Sequence, residues 1–411
     1  MVVAIKNVRV FTENGAFVKG QVCLEDGLIK KVELSGETEV PETESESGIQ
    51  TSCETGSGTV IDGRGSYLIP GLIDIHFHGC MGVDFCDGTW EALDQIARVQ
   101  AAWGITSIAP ATMTLSVDEL EKILAVAADY RDWLDKEADQ EERACRADLV
   151  GINMEGPFIS VEKKGAQAEE YVITPDPAVG RRFLEASRGL VKYMGLAPEA
   201  SEEAWDFIRE MKDKVYVTLA HTGADYDTSI RAFGEGVSHV VHLYNAMTPF
   251  LNREPGLPGA VFDSPGVNAE LIGDGFHIHP AVVRTTFRLL GKDRIILISD
   301  SMRAAGLGPG TYTLGGQDVI VKKGDNVARL ASTGGIAASV TNLMDCVRRV
   351  VLDMGIPLET AVACASVNPA KSLGIYDWCG SIAEGKKANL VMLNENLELE
   401  AVIKEGCRIN R

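Results

Sequence analysis

Basic residues are scarce in this chain. Its 411 residues carry 39 Lys and Arg against 59 Asp and Glu, a formal net charge of −20. Such a surface repels phosphate backbones, so nucleic acid is not expected as a partner. Long apolar runs are missing as well: nothing approaches the roughly 18 residues of a membrane span. The opening MVVAIKNVRVFTENG has a short apolar start that runs into charges, and no secretory leader is expected there. The nine cysteines are odd in number and contain no Cys-x-x-Cys pair. They read as scattered reduced thiols of a cytoplasmic protein. With 45% hydrophobic and 24% charged residues, wholesale disorder is excluded.

The pattern of what remains divides the chain in three. The stretches VVAIKNVRVFT and QVCLEDGLIKKVEL alternate and are broken by Gly and Asn, as in a small β-sheet. Residues 36 to 58 are rich in Glu, Ser, Thr and Gly and predict a long solvated loop. From about residue 67 short apolar runs alternate with amphipathic stretches. The runs are 72–78, 105–111, 148–155, 190–197, 214–221, 237–244, 268–274 and 294–300. Continuous apolar runs suit strands buried on both faces of a parallel sheet. Ser116 and Glu119 form a capping box, and Leu120, Ile123, Leu124 and Ala127 follow at helical spacing. Eight β–α units predict a (β/α)8 TIM-type barrel, with a doubly wound open sheet as the alternative. Residues 389–410 are strand-like again. Both chain ends are expected to pair into one small β-sandwich domain, which gives boundaries of 1–66, 67–378 and 379–411.

The chain has only seven histidines, none before residue 76 or after 279. Six lie near the C-terminal end of an expected strand, the face where barrel enzymes keep their active sites. His76 and His78 end the first run two residues apart, so both imidazoles can face the axis and share a metal. Glu155 ends the third run, where a buried carboxylate is costly unless paired or metal-bound. His221, His242 and Asp300 end the fifth, sixth and eighth. Imidazole nitrogens with carboxylate oxygens suit Zn²⁺ or Fe²⁺. His239, three residues from His242, is expected to face away from the axis in a structural role.

The segment PGLIDIHFHG, with Asp after the last barrel strand, resembles the amidohydrolase superfamily. NMEGPF, KKGAQ, LAHT, HLYNAMTPF, NREPG, DGFH and SDSMRAAG resemble, more narrowly, the N-acetylglucosamine-6-phosphate deacetylases. The resemblance runs from about residue 60 to 390. It implies hydrolysis of N-acetylglucosamine 6-phosphate to glucosamine 6-phosphate and acetate; the galactosamine epimer, or another small amide, is the alternative substrate. It further implies one or two divalent ions, zinc or iron. Glu155, His221 and His242 would hold the first, His76 and His78 the second, with Glu155 bridging and Asp300 as catalytic acid/base. Arg253, Asn245 and the Ala246 backbone would bind the phosphate, with His277 on the substrate. The family also implies a homodimer with shared active sites. Gln167 departs from the family, where KKGA is often followed by His; an amide can hydrogen-bond a sugar hydroxyl but carries no proton. The segment 330–344 departs too and is expected to alter contacts around the acetyl group or sugar ring.

Overall fold

The computed structural model describes residues 2–35 and 58–409. The loop expected over 36–58 therefore lies outside the described residues, apart from Gly58. All eight apolar runs contain strands, and all of those strands pair in parallel. One sheet of seven contains Ala111–Thr112, Ile152–Phe158, Val191–Leu196, Tyr216–Leu219, His239–Val240, Asn268–Ile272 and Ile295–Ile298, neighbours in that order. A second sheet places Ile105–Ile108 between Asp148–Leu149 and Leu72–Asp74. Backbone bonds tie the two sheets together: Ala111 N donates to Phe77 O at 2.7 Å and Asn153 N to Pro110 O at 2.9 Å. At the other edge, Asp300 N donates to His76 O at 2.9 Å and His78 N to Ser301 O at 2.7 Å. The end of the last parallel strand is thus bonded to the end of the first.

Helices separate these strands for the reasons the sequence offers. The capping box at Ser116 and Glu119 starts the helix Val117–Lys136, whose Leu120, Ile123, Leu124 and Ala127 are buried. Gly104, with φ of 86°, supplies the left-handed turn that returns the chain from Trp90–Ala102 to the next strand.

Both chain ends enter one eight-stranded sheet. The seam is the antiparallel pairing of Tyr67–Pro70 with Leu390–Leu393, from Leu390 opposite Pro70 to Leu393 opposite Tyr67. The sheet has its own apolar core, including Val3, Ile5, Val22, Leu68, Leu390 and Ile403. A buried charge cluster joins it to the parallel sheets. Lys404 is fully buried, with Nζ 2.9 Å from Asp148 Oδ1 and 3.6 Å from Glu405 Oε1.

Two features depart from expectation. A four-stranded antiparallel sheet, Gly310–Leu314, Gln317–Val321, Val327–Leu330 and Ile336–Ser339, follows the last parallel strand. Its core of Leu314, Val319, Val321 and Ala328 packs on Met113 and Met302. Cys23 is disulfide-bonded, which corrects the expectation of nine reduced thiols; Cys80, Cys86, Cys145, Cys346, Cys364, Cys379 and Cys407 are free.

Candidate active site

The C-terminal ends of the parallel strands meet in a cavity of about 400 Å³. Its lining includes His78, Glu155, Gln167, His221, His242, Asn245, Ala246, His277 and Asp300. His76 lies just beneath, fully buried. Nearly all the residues singled out from sequence therefore converge. Arg253 does not: it is exposed and outside the lining, and the cation at the cavity wall is Lys163.

Glu155 is the centre of the cluster. Its Oε1 lies 2.8 Å from His242 Nε2, 2.9 Å from His221 Nε2 and 3.4 Å from His76 Nε2. Its Oε2 lies 3.6 Å from His78 Nε2. Asp300 Oδ1 faces the same pair from the other side, 3.4 Å from His78 Nε2 and 3.8 Å from His76 Nε2. Two groups thus bring ligand atoms close together, His76 with Glu155 and His242, and His76 with His78 and Asp300.

The backbone is bent to achieve this. His221, His242 and Asp300 have φ of 45°, 29° and 48°, and Tyr244 and Ala246 have 80° and 50°. Left-handed backbone at a non-glycine residue costs on the order of 1–3 kcal/mol and persists where the surroundings enforce it. Here it turns each side chain off the end of its strand and over the cavity.

The donor set fits a divalent cation. His221 Nε2 and His242 Nε2 are only 3.2 Å apart, and both crowd Glu155 Oε1. Fully deprotonated, these atoms offer only lone pairs to one another. His76 Nε2 is buried without a hydrogen-bond partner. A cation among them would satisfy every one of these lone pairs. Without a cation, positive charge on the imidazoles takes its place beside the carboxylates. Burial pushes the Glu155 carboxyl up, but the charges of His221 and His76 hold it well below the ordinary range. Burial likewise raises Asp300, and the hydrogen bond from His78 outweighs it to leave the carboxyl low.

The surrounding contacts show how the ligands are held. His221 Nδ1 meets Lys163 O at 2.9 Å, which leaves Nε2 for the cluster. Gln167 Nε2 donates to Glu155 Oε2 at 2.6 Å, and its Oε1 accepts from Thr114 N at 2.6 Å. The amide expected to meet the sugar is thus already engaged at both ends: Nε2 also donates weakly to Met113 Sδ at 3.8 Å, and only one lone pair of Oε1 is left over. The antiparallel insert fixes this loop from outside: Gln317 Nε2 donates to Ala166 O at 2.6 Å. Within the departing segment 330–344, Ile336 and Ala337 line the cavity, as does Leu314 of the same insert.

His277 is oriented by Asp274. Its Nδ1 lies 2.7 Å from Asp274 Oδ2, and Asp274 Oδ1 accepts from the backbone N–H of Phe276 and of His277. Burial lowers the His277 imidazole, but the Asp274 bond and charge raise it above its ordinary value. His279 has another job, capping the helix Pro280–Leu290 through Ala281 N.

His239 corrects the expectation that it faces away from the axis. It is buried, with Nε2 3.0 Å from Glu270 Oε1. Glu270, in the middle of Asn268–Ile272, also meets His76 Nδ1 at 2.7 Å. The parity count failed because the strand ends at Val240 and the chain turns through the left-handed His242. Sequence reasoning passed over Glu270 itself. The signal was a lone charge inside the apolar run NAELI.

Comparison with known proteins follows the same lines. Residues 67–408 match the amidohydrolase family. An N-acetylglucosamine-6-phosphate deacetylase of Bacillus subtilis (strain 168) is 35% identical over 98% of this chain and 96% of its own length. An N-acetylgalactosamine-6-phosphate deacetylase of Escherichia coli O157:H7 is 32% identical over 97% of each chain. Among solved structures, a variant of the N-acetyl-D-glucosamine-6-phosphate deacetylase from Mycobacterium smegmatis, in complex with N-acetyl-D-glucosamine-6-phosphate, superposes with a TM-score of 0.83. It is 28% identical and covers 99% of this chain and 98% of that one.

Proposed function

The chain belongs to the amidohydrolase family, in its N-acetylglucosamine-6-phosphate deacetylase branch, and from that premise we propose that it hydrolyses N-acetylglucosamine 6-phosphate to glucosamine 6-phosphate and acetate. The observation that carries the reading is the convergence of Glu155, His221, His242, His76, His78 and Asp300 at one cavity. On this reading the parallel strands form a closed (β/α)8 barrel over 67–378, and the paired ends, 1–66 and 379–411, form the small β-sandwich domain.

Glu155, His221 and His242 would hold one divalent ion, zinc or iron. His76 and His78 would hold a second, with Glu155 reaching both. Such an ion supplies a Lewis acid that polarises the amide carbonyl and lowers the pKa of water to about 7. The chain's own residues do the rest. Asp300 Oδ1 takes the proton released as water attacks the acetyl carbonyl. It then hands that proton to the amine nitrogen, an otherwise poor leaving group. Asp300 starts this cycle ionised, the form that a base requires and the ordinary state of a carboxyl near neutral pH. His277, held by Asp274, is offered to the substrate. Asn245 and Ala246 line the same cavity and would bind the sugar phosphate, Ala246 through its backbone. Leu314, Ile336 and Ala337 make an apolar wall suited to the acetyl methyl.

Arg253 is exposed outside the cavity, which suits a guanidinium offered to the site of a second copy. A homodimer with shared active sites follows from that reading. The seven free thiols among the described residues suit a reducing cytoplasm, with Cys23 as the disulfide-bonded exception.

The epimer is a second reading, favoured by the relative at 32% identity that is named an N-acetylgalactosamine-6-phosphate deacetylase. Acetate release from both phosphates and from unphosphorylated N-acetylglucosamine decides. Turnover confined to the glucosamine phosphate supports the first reading. Turnover of the galactosamine epimer moves the substrate and keeps the mechanism. Silence on all three from metal-replete protein overturns both.

A further inference from the structure

Glu270 is a fully buried acid on a barrel-type strand, and the mechanism above leaves it without a role. Its carboxylate gathers four N–H groups from four places in the chain. Oε2 meets His76 Nδ1 at 2.7 Å and the His242 backbone N–H at 3.3 Å. Oε1 meets His239 Nε2 at 3.0 Å and Asn153 Nδ2 at 3.1 Å. Asn153 is also pinned, since its Nδ2 donates to Ile75 O at 3.0 Å.

An imidazole that binds a cation through Nε2 must carry its proton on Nδ1. A carboxylate accepting that proton fixes both the tautomer and the ring plane. His76 has this arrangement: Nδ1 on Glu270 and Nε2 buried without a hydrogen-bond partner, facing Glu155 and Asp300. We propose that Glu270, backed by His239 and Asn153, is the positioning residue that makes the His76/His78 pair able to hold the second metal ion. The inference rests on the two-metal reading given above. It assigns His239 a definite task as well. By donating to Oε1, its imidazole satisfies the oxygen that His76 leaves, so that a bare carboxylate is tolerated in the strand interior.

The discriminating variant is Glu270→Gln, equal in size. An amide offers one acceptor oxygen and one N–H pair to a place where four N–H groups converge. At least one donor then faces a donor, and His76 must turn or shift its proton. Zinc is the probe. Wild-type and variant protein, both checked for folding by circular dichroism, are loaded, dialysed against graded chelator and analysed for zinc per chain. The expected result is two ions in the wild type and one in Glu270→Gln, with affinity for the second ion down by about 10- to 100-fold. Two ions in both, with equal chelator resistance, would overturn the inference while keeping the two-metal reading. One ion in the wild type would overturn that reading and the inference with it. If the variant does not fold, the zinc-loaded wild type decides through ¹H–¹⁵N spectra of labelled histidines. A proton on His76 Nδ1, identified by its loss in His76→Asn, supports the inference, and a proton on Nε2 overturns it.

Discussion

Replacing Gln167 by Met keeps the side chain's length and bulk and removes only its amide. Two strong hydrogen bonds disappear, besides a weak one from Nε2 to Met113 Sδ. One is charge-assisted, from Nε2 to Glu155 Oε2 at 2.6 Å; the other joins Oε1 to Thr114 N at 2.6 Å. The first is worth about 1.5–3 kcal/mol, and leaving a buried N–H unsatisfied costs about 1–3 kcal/mol more. Thr114 and Gln167 are both buried, so water does not readily replace the lost partners. The expected loss of folding stability in metal-free protein is about 2.5–6 kcal/mol. Urea unfolding of wild type and variant at neutral pH, with matched slopes, measures it. A difference below about 0.5 kcal/mol, the range of ordinary surface substitutions, would refute the reasoning. The family's histidine would then be replaced here by a residue that holds neither Glu155 nor Thr114.

Three further outcomes follow from named contacts. Burial opposes ionisation of Glu270, but the charge of His76 and the bond from His239 bring it down to about 2 from 4.5. A carboxyl depressed on folding stabilises above its unfolded value and loses that contribution as pH falls through its folded one. Metal-free protein should therefore lose about 3 kcal/mol between pH 4.5 and 2; a thermal-melt series across that window should flatten in Glu270→Gln. Lys404→Met leaves Asp148 and Glu405 short of a fully buried cation. The cost is about 3 kcal/mol, at the low end for a broken buried pair because Lys387 and Arg143 remain, and urea unfolding reads it. Arg253→Ala should raise KM for the phosphorylated sugar by roughly 10- to 100-fold, as expected for losing a charged hydrogen bond, with kcat little changed. Equal KM in steady-state assays would remove that residue from phosphate recognition.

Much of this architecture is legible in the sequence because it rests on strong local signals. The eight apolar runs must be buried on both faces, and each contains a parallel strand. Histidines and carboxylates at the ends of such runs have few other reasons to be there, and Glu155, His221, His242, His76, His78 and Asp300 do converge. Other features escaped for physical reasons. The insert over 310–339 is built from four- and five-residue strands broken by glycine, too short for alternation to register. His239 follows strand parity only if the strand continues to His242, and the backbone turns left-handed there instead. The exposed position of Arg253 outside the cavity lining was not legible either, because a motif carries no information about which side of the cavity wall a loop residue occupies.

The most direct test of the mechanism is acetate release by Asp300→Asn on N-acetylglucosamine 6-phosphate, with metal per chain measured in the same samples. The substituted amide keeps the shape of the side chain and cannot accept or return the proton. Turnover per bound metal should fall by about 10²- to 10⁴-fold. A metal-replete variant within about tenfold of wild type would contradict Asp300 as the group that moves the proton.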